Sequence, residues 1–184
     1  MAVRLDQIKG MLDELEMKYT YIPKDNTQLG LRFVTQNYLD KNKDHSILVI
    51  IQLSENGEYL TVYCPNAYKI TGRNQGVFLK LCMMIQWMTK LIQFEFDHHD
   101  GEIRPVVEFP IEDGTITARQ LARCVGGLVG IIDTCDTALR TAAEQGILDL
   151  SLIPAPSGAP SPDELRRMLE EMFGQGGQRP PDEL

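Results

Sequence analysis

A strongly apolar stretch from Asn74 to Gln93, set between two blocks that read as antiparallel strands, constrains this chain more than any other part. Apolar side chains recur at Val77, Phe78, Leu81, Cys82, Ile85, Met88 and Ile92, the i, i+3, i+4, i+7 spacing that gathers them on one buried helical face. Asn74 stands where an N-cap belongs, because its side-chain oxygen can accept from an orphan amide of the first turn. The helix reads as the spine of a single core.

Ahead of it, Leu5, Ile8, Leu12 and Leu15 repeat at steps of three and four, with Met11 beside them, so Arg4 to Lys18 is expected to be an amphipathic helix. Tyr19 to Ile22 and Leu29 to Gln36 have strand character, and Pro23-Lys24-Asp25-Asn26 between them is rich in turn formers, which predicts a hairpin. Ile47 to Leu53 is apolar on both faces, as a central strand is, and Glu55-Asn56-Gly57 turns it into Tyr59 to Cys64.

Beyond the central helix, Phe94, Phe96 and His98 alternate with Glu95, Asp97 and His99, the pattern of a half-buried strand closed by Asp100-Gly101. The returning strand, Ile103 to Phe109, contains Pro105, which lacks an amide donor and is expected on an edge or at a bulge. Thr117-Ala118-Arg119-Gln120 has the form of a capping box, so a long helix starts there. Leu121, Val125, Leu128, Ile132, Cys135 and Leu139 form its apolar seam. Gly126, Gly127 and Gly130 each cost that helix about 1 kcal/mol relative to alanine, which the close approach of another backbone offsets, either its own sheet or a second subunit.

These elements place an α+β domain at residues 1–148. Prolines 154, 156, 160 and 162 make 149–161 an extended linker. Residues 162–174 are expected to form an amphipathic tail helix with Leu165, Met168, Leu169, Met172 and Phe173 as its apolar stripe, and 175–184 a disordered tail.

A net charge of −8 opposes binding to a polyphosphate backbone, so nucleic acid is not an expected partner. The charged first fifteen residues lack a signal-peptide pattern, and no apolar run reaches the roughly 18 residues of a membrane span, so the expected location is the cytoplasm with no membrane partner. Cys64, Cys82, Cys124 and Cys135 lie in apolar segments without CxxC pairing, as buried thiols do.

The chain resembles the YbjN family of bacterial proteins, candidate sensory transduction regulators with a fold like that of type III secretion chaperones. The resemblance runs from Arg4 to Arg140. It is carried by Gly57-Glu58-Tyr59-Leu60 leading to Cys64-Pro65, by Phe94-Glu95-Phe96-Asp97 with Asp100-Gly101-Glu102, and by Glu108-Phe109-Pro110-Ile111-Glu112-Asp113-Gly114 before Leu121. It implies an antiparallel sheet packed with helices in the order helix, strands, helix, two strands, helix. It also implies a homodimer, and brings no catalytic residues. The Pro-rich tail is additional.

No motif nominates an enzyme. Gly72-Arg73-Asn74-Gln75-Gly76 lacks the Lys-Ser/Thr ending of a P-loop, and no GxSxG is present. His98 and His99, as neighbours in a strand, are expected to point to opposite faces and not to converge on a metal. Met83, Met84, Trp87 and Met88 offer an adaptable thioether and indole surface of the kind that binds peptides. The expected function is therefore a non-enzymatic intracellular binding module, a chaperone-like or regulatory adaptor for a protein or peptide segment, without cofactor or metal. The alternatives are a metal-assisted hydrolase using Asp97, Asp100 and Glu102 with the histidines, and a structural subunit of an assembly.

Overall fold

A computed structural model describes residues 2–22 and 27–153. The chain runs through α1 (Leu5–Glu14), β1 (Thr20–Tyr21), β2 (Gln28–Val34), β3 (Ser46–Ser54), β4 (Tyr59–Tyr63), β5 (Tyr68–Lys69), α2 (Gln75–Met88), β6 (Gln93–Phe96), β7 (Glu102–Pro110) and α3 (Ala118–Gln145). The element order is the α+β order expected. The turn at 23–26, the linker beyond 153, the tail helix and the tail itself lie outside the described residues. The compact unit runs through Ile153, where Asp149 accepts from the Ser151 amide at 2.9 Å and Leu150, Leu152 and Ile153 pack on the core.

Every strand pair in the seven-stranded sheet is antiparallel. The strands run β1-β2-β3-β4-β7, with β5 beside the other half of β7's β4 edge and β6 along its opposite edge. β3 is central, as its two apolar faces require. β7 is central too, which corrects the edge or bulge expected from Pro105. The reason lies in the neighbouring edge: β4 ends at Tyr63 opposite Val106 and β5 begins at Tyr68 opposite Ile103, so the chain bends away beside Pro105. The Pro105 carbonyl still accepts from the Cys64 amide at 3.0 Å, and no sheet partner is left facing the missing proline donor.

The helices cover one core with the sheet. Phe78, Leu81 and Ile85 of α2 and Leu121, Val125, Leu128, Ile132 and Leu139 of α3 are all essentially inaccessible. The seam of α3 is thus satisfied within its own chain. Its start is the capping box read from the sequence, with Gln120 N–H donating to Thr117 and the Gln120 side chain accepting from Thr117. Asn74 stands at the N-cap position of α2, as expected, but its side chain makes no capping bond there. Its side-chain amide donates to the carbonyls of Ala143 at 2.9 Å and Glu144 at 3.3 Å, so it closes the C-terminal end of α3. Gly146 follows in a left-handed conformation, and a β-carbon there would meet Asn74 Oδ1 at 2.6 Å.

No other part of the described chain lies within 4 Å of the position a β-carbon would take at Gly126, Gly127 or Gly130. The sheet is therefore not the backbone that approaches them. All four cysteines are buried and reduced. Burial raises every thiol, Cys82 to about 12 and Cys135 to about 11, which keeps them protonated and unreactive at neutral pH.

Candidate functional site

The exposed apolar surface concentrates at the end of α2. Thr89 stops the helix, its hydroxyl donating back to the Ile85 carbonyl at 2.8 Å. Leu91 then takes a left-handed conformation, φ 74°, which returns Ile92 to the core. The consequence is an outward face that nothing in the described chain covers: Trp87 is 90% exposed, Met83 66%, Leu91 53% and Met88 45%. Met83 and Trp87 are one helical turn apart and share that face, whereas Met84 is half-buried. Lys80 and Lys90, both exposed, bracket the pair. Leu91 was not among the residues singled out from the sequence, because only the bend after Thr89 brings it outside. The apolar stripe Leu165, Met168, Leu169, Met172 and Phe173 lies outside the described residues.

The second constellation is the connection from β6 to β7. β6 ends at Phe96, so Asp97, His98 and His99 belong to a turn and not to the strand. That overturns the expected divergence of the histidines: their rings lie 3.9 Å apart at 39°, and one ligand atom from each of Asp97, His98 and His99 lies within 4.8 Å of the others. The remaining acids of the region are committed elsewhere. Asp100 accepts from the Glu102 amide and pairs with Lys69, both at 3.0 Å, and Glu102 accepts from the Asn66 amide at 2.7 Å. The acid set expected for a hydrolase is therefore divided between a turn and two structural contacts.

With helix, hairpins, helix, hairpin and long helix on one antiparallel sheet, the chain has a solved counterpart. E. coli YbjN, a candidate transcription regulator, matches with a TM-score of 0.51 at 17% identity, over 79% of this chain and 96% of that one. The fold is that of YbjN. The HopA1–SchA chaperone–effector complex also matches, at a TM-score of 0.43 and 14% identity, over 66% of this chain and 83% of that one. No family model and no curated protein matches the sequence. Among the described residues no helix is long and apolar enough to cross a membrane.

Within this YbjN-like fold, two carboxylates of α3 hold the long β2–β3 connection. Asp133 accepts from the backbone amides of Gln36, Asn37 and Tyr38 at 2.7 to 3.1 Å. Asp136, buried, accepts from the Tyr68 hydroxyl at 2.9 Å and from Arg140 Nε at 2.6 Å, and Arg140 reaches on to the Leu39 carbonyl at 2.6 Å. Burial raises Asp136 above the usual carboxylate range, against the pull of Arg140 and Tyr68. Burial pushes Asp133 the same way, yet the three amides prevail and hold it below. Both groups are structural ties, saturated by their own fold, and neither opens on the exposed face of α2.

Proposed function

We propose that this chain is a non-enzymatic binding module, a chaperone-like or regulatory adaptor that takes up a protein or peptide segment on the exposed end of α2. The observation that carries this reading is Trp87, the sole tryptophan, almost fully exposed beside Met83, Met88 and Leu91. Large apolar side chains grouped in this way mark interaction surfaces, and tryptophan is the residue most enriched where a few contacts dominate binding. Fully burying one such side chain contributes about 1.5–3 kcal/mol, so covering three of them is enough to hold a short helix. Lys80 and Lys90 favour an occupant with acids beside its apolar stripe.

The chain carries such a segment. Leu165, Met168, Leu169, Met172 and Phe173 are interleaved with Glu164, Glu170 and Glu171 as well as Arg166 and Arg167, and with Asp163 the acids outnumber the bases. We assign this stripe as the self-ligand of the α2 surface, displaced when a partner binds. A homodimer and a cytoplasmic location, where the four reduced thiols are at home, complete the proposal.

The test uses a chain whose own stripe is disrupted by Leu169→Asp and Phe173→Asp. Titrating in a synthetic peptide of residues 162–174 should shift the emission of Trp87 to the blue and saturate. An emission that does not move at any peptide concentration removes the reading. The same sample should sediment at twice the 20.8 kDa chain mass, and a monomer at every concentration removes the dimer.

A further inference from the structure

The turn between β6 and β7 is built more firmly than an exposed loop needs to be. The Asp97 amide donates to the Glu102 carbonyl and the Gly101 amide to the Asp97 carbonyl, both at 2.9 Å. The His99 amide donates to Asp97 Oδ1 at 2.8 Å. Gly101, at φ +81°, sits so close to the Ile70 carbonyl that a β-carbon would lie 2.4 Å from its oxygen, which fixes the far end of the turn against the body of the domain. Asp100 is tied down by Glu102 and Lys69. The backbone of the turn is therefore held at both ends while the imidazoles of His98 and His99 and the second oxygen of Asp97 face solvent.

We propose that this turn is a binding site for a borderline divalent transition-metal ion, of which Zn²⁺ is the type, held by one imidazole nitrogen each from His98 and His99 and by the Asp97 carboxylate. The ligand atoms already lie within 4.8 Å of one another. A tetrahedral ion bonded at about 2.0–2.2 Å separates its ligands by roughly 3.3 Å, so closure takes a movement of about 1.5 Å at most. Side-chain rotation supplies that movement, since all three residues are exposed and the backbone is already turned. Two imidazoles with one carboxylate suit zinc, nickel or copper, whereas calcium and magnesium want six or more oxygens. Asp100 and Glu102 stand outside the cluster: both oxygens of Asp100 serve Lys69 and the Glu102 amide, and Glu102 Oε1 takes the Asn66 amide. Three protein ligands leave the fourth position to water or an incoming group. Asp97 and His98 also line an open cleft of about 370 Å³ with Glu95, Phe96, Glu102 and Arg104, which gives that group space.

The experiment is calorimetric titration of ZnCl₂ into the full-length chain after chelator treatment and dialysis. The unmodified protein should bind one equivalent at micromolar concentration, with MgCl₂ giving no comparable binding. His98→Ala and His99→Ala should each weaken Zn²⁺ by about tenfold or more, the loss seen even for residues one step behind a metal ligand. His45→Ala, the remaining histidine, should bind as the unmodified chain does. Absence of a stoichiometric ion, or His98→Ala and His99→Ala variants that bind as the unmodified chain does, overturns the proposal. A readout without substitution guards against a misfolded variant. Substoichiometric Cu²⁺ should broaden the imidazole proton resonances of His98 and His99 and spare those of His45, and equal broadening of all three would count against the site.

Discussion

Gly57→Ala should destabilise the protein by on the order of 3–4 kcal/mol. Two effects combine. Gly57 sits at φ +92°, a conformation that costs an L-residue about 1–2 kcal/mol. A β-carbon there would also lie 2.0 Å from the Val3 carbonyl oxygen, and the obstacle is backbone that cannot swing aside. The Val3 amide donates to the Gly57 carbonyl at 3.0 Å, and Val3 itself is buried, so relieving the clash means lifting the segment before α1 off the core. Losing the burial of one valine adds about 2 kcal/mol. Gly72 supplies the control, since it has φ +82° and open space around it. Gly72→Ala should cost only the conformational part, about 1 kcal/mol. Urea denaturation of both variants decides the matter: equal losses would mean that the amino-terminal segment is not locked against the β3–β4 turn.

Asp136→Ala should cost about 3 kcal/mol at neutral pH, because it leaves a fully buried Tyr68 hydroxyl without its acceptor and Arg140 without its counter-charge. The pH dependence separates this group from its neighbour. Asp136 has a folded pKa raised by burial, so its contribution is fully present below the unfolded value, near 3.9, and declines as pH rises through the raised folded value. Asp133 runs the other way. Its lowered folded pKa gives stability that is present above the unfolded value and is lost as pH falls through the folded one. Asp136→Asn, which keeps an acceptor for Tyr68, should therefore be milder than Asp136→Ala and should remove the decline with rising pH. An alanine variant within about 1 kcal/mol of the parent would show that Tyr68 and Arg140 find other partners.

Features legible in the sequence were those set by local pattern. The apolar period of α2, the Thr117–Gln120 capping box and the apolar settings of the four cysteines needed only neighbours within one or two turns. Positive backbone angles at Asn56 and Gly57 follow from residue type in the same way. What escaped depends on partners far along the chain. Asp136 reads as one more surface charge on α3 until Tyr68, 68 positions away, is seen to meet it. Asn74 stands at the N-cap of α2 as its residue type suggests, but its side chain bonds the end of α3, which arrives 69 residues later. β5 is two residues long, below the length at which alternation can be read, and exists only because β7 offers it an edge. Pro105 pointed to an edge strand because the break between β4 and β5 beside it has no local signature. The histidines read as divergent because the alternation of Phe94 to His99 continues three residues past the true end of β6. Of the candidate surface, Met83 and Trp87 were recoverable from composition alone, while Leu91 required knowing where the helix stops.

On the proposed function, the end of α2 is a binding surface whose resting occupant is the chain's own apolar stripe. Collisional quenching of Trp87 by acrylamide measures this directly, since no other tryptophan contributes. In the intact chain Trp87 should be shielded, and Leu169→Asp with Phe173→Asp should restore the quenching of an indole open to water. Equal quenching in the two proteins, both at the level of free tryptophan, would show that the stripe does not occupy this surface.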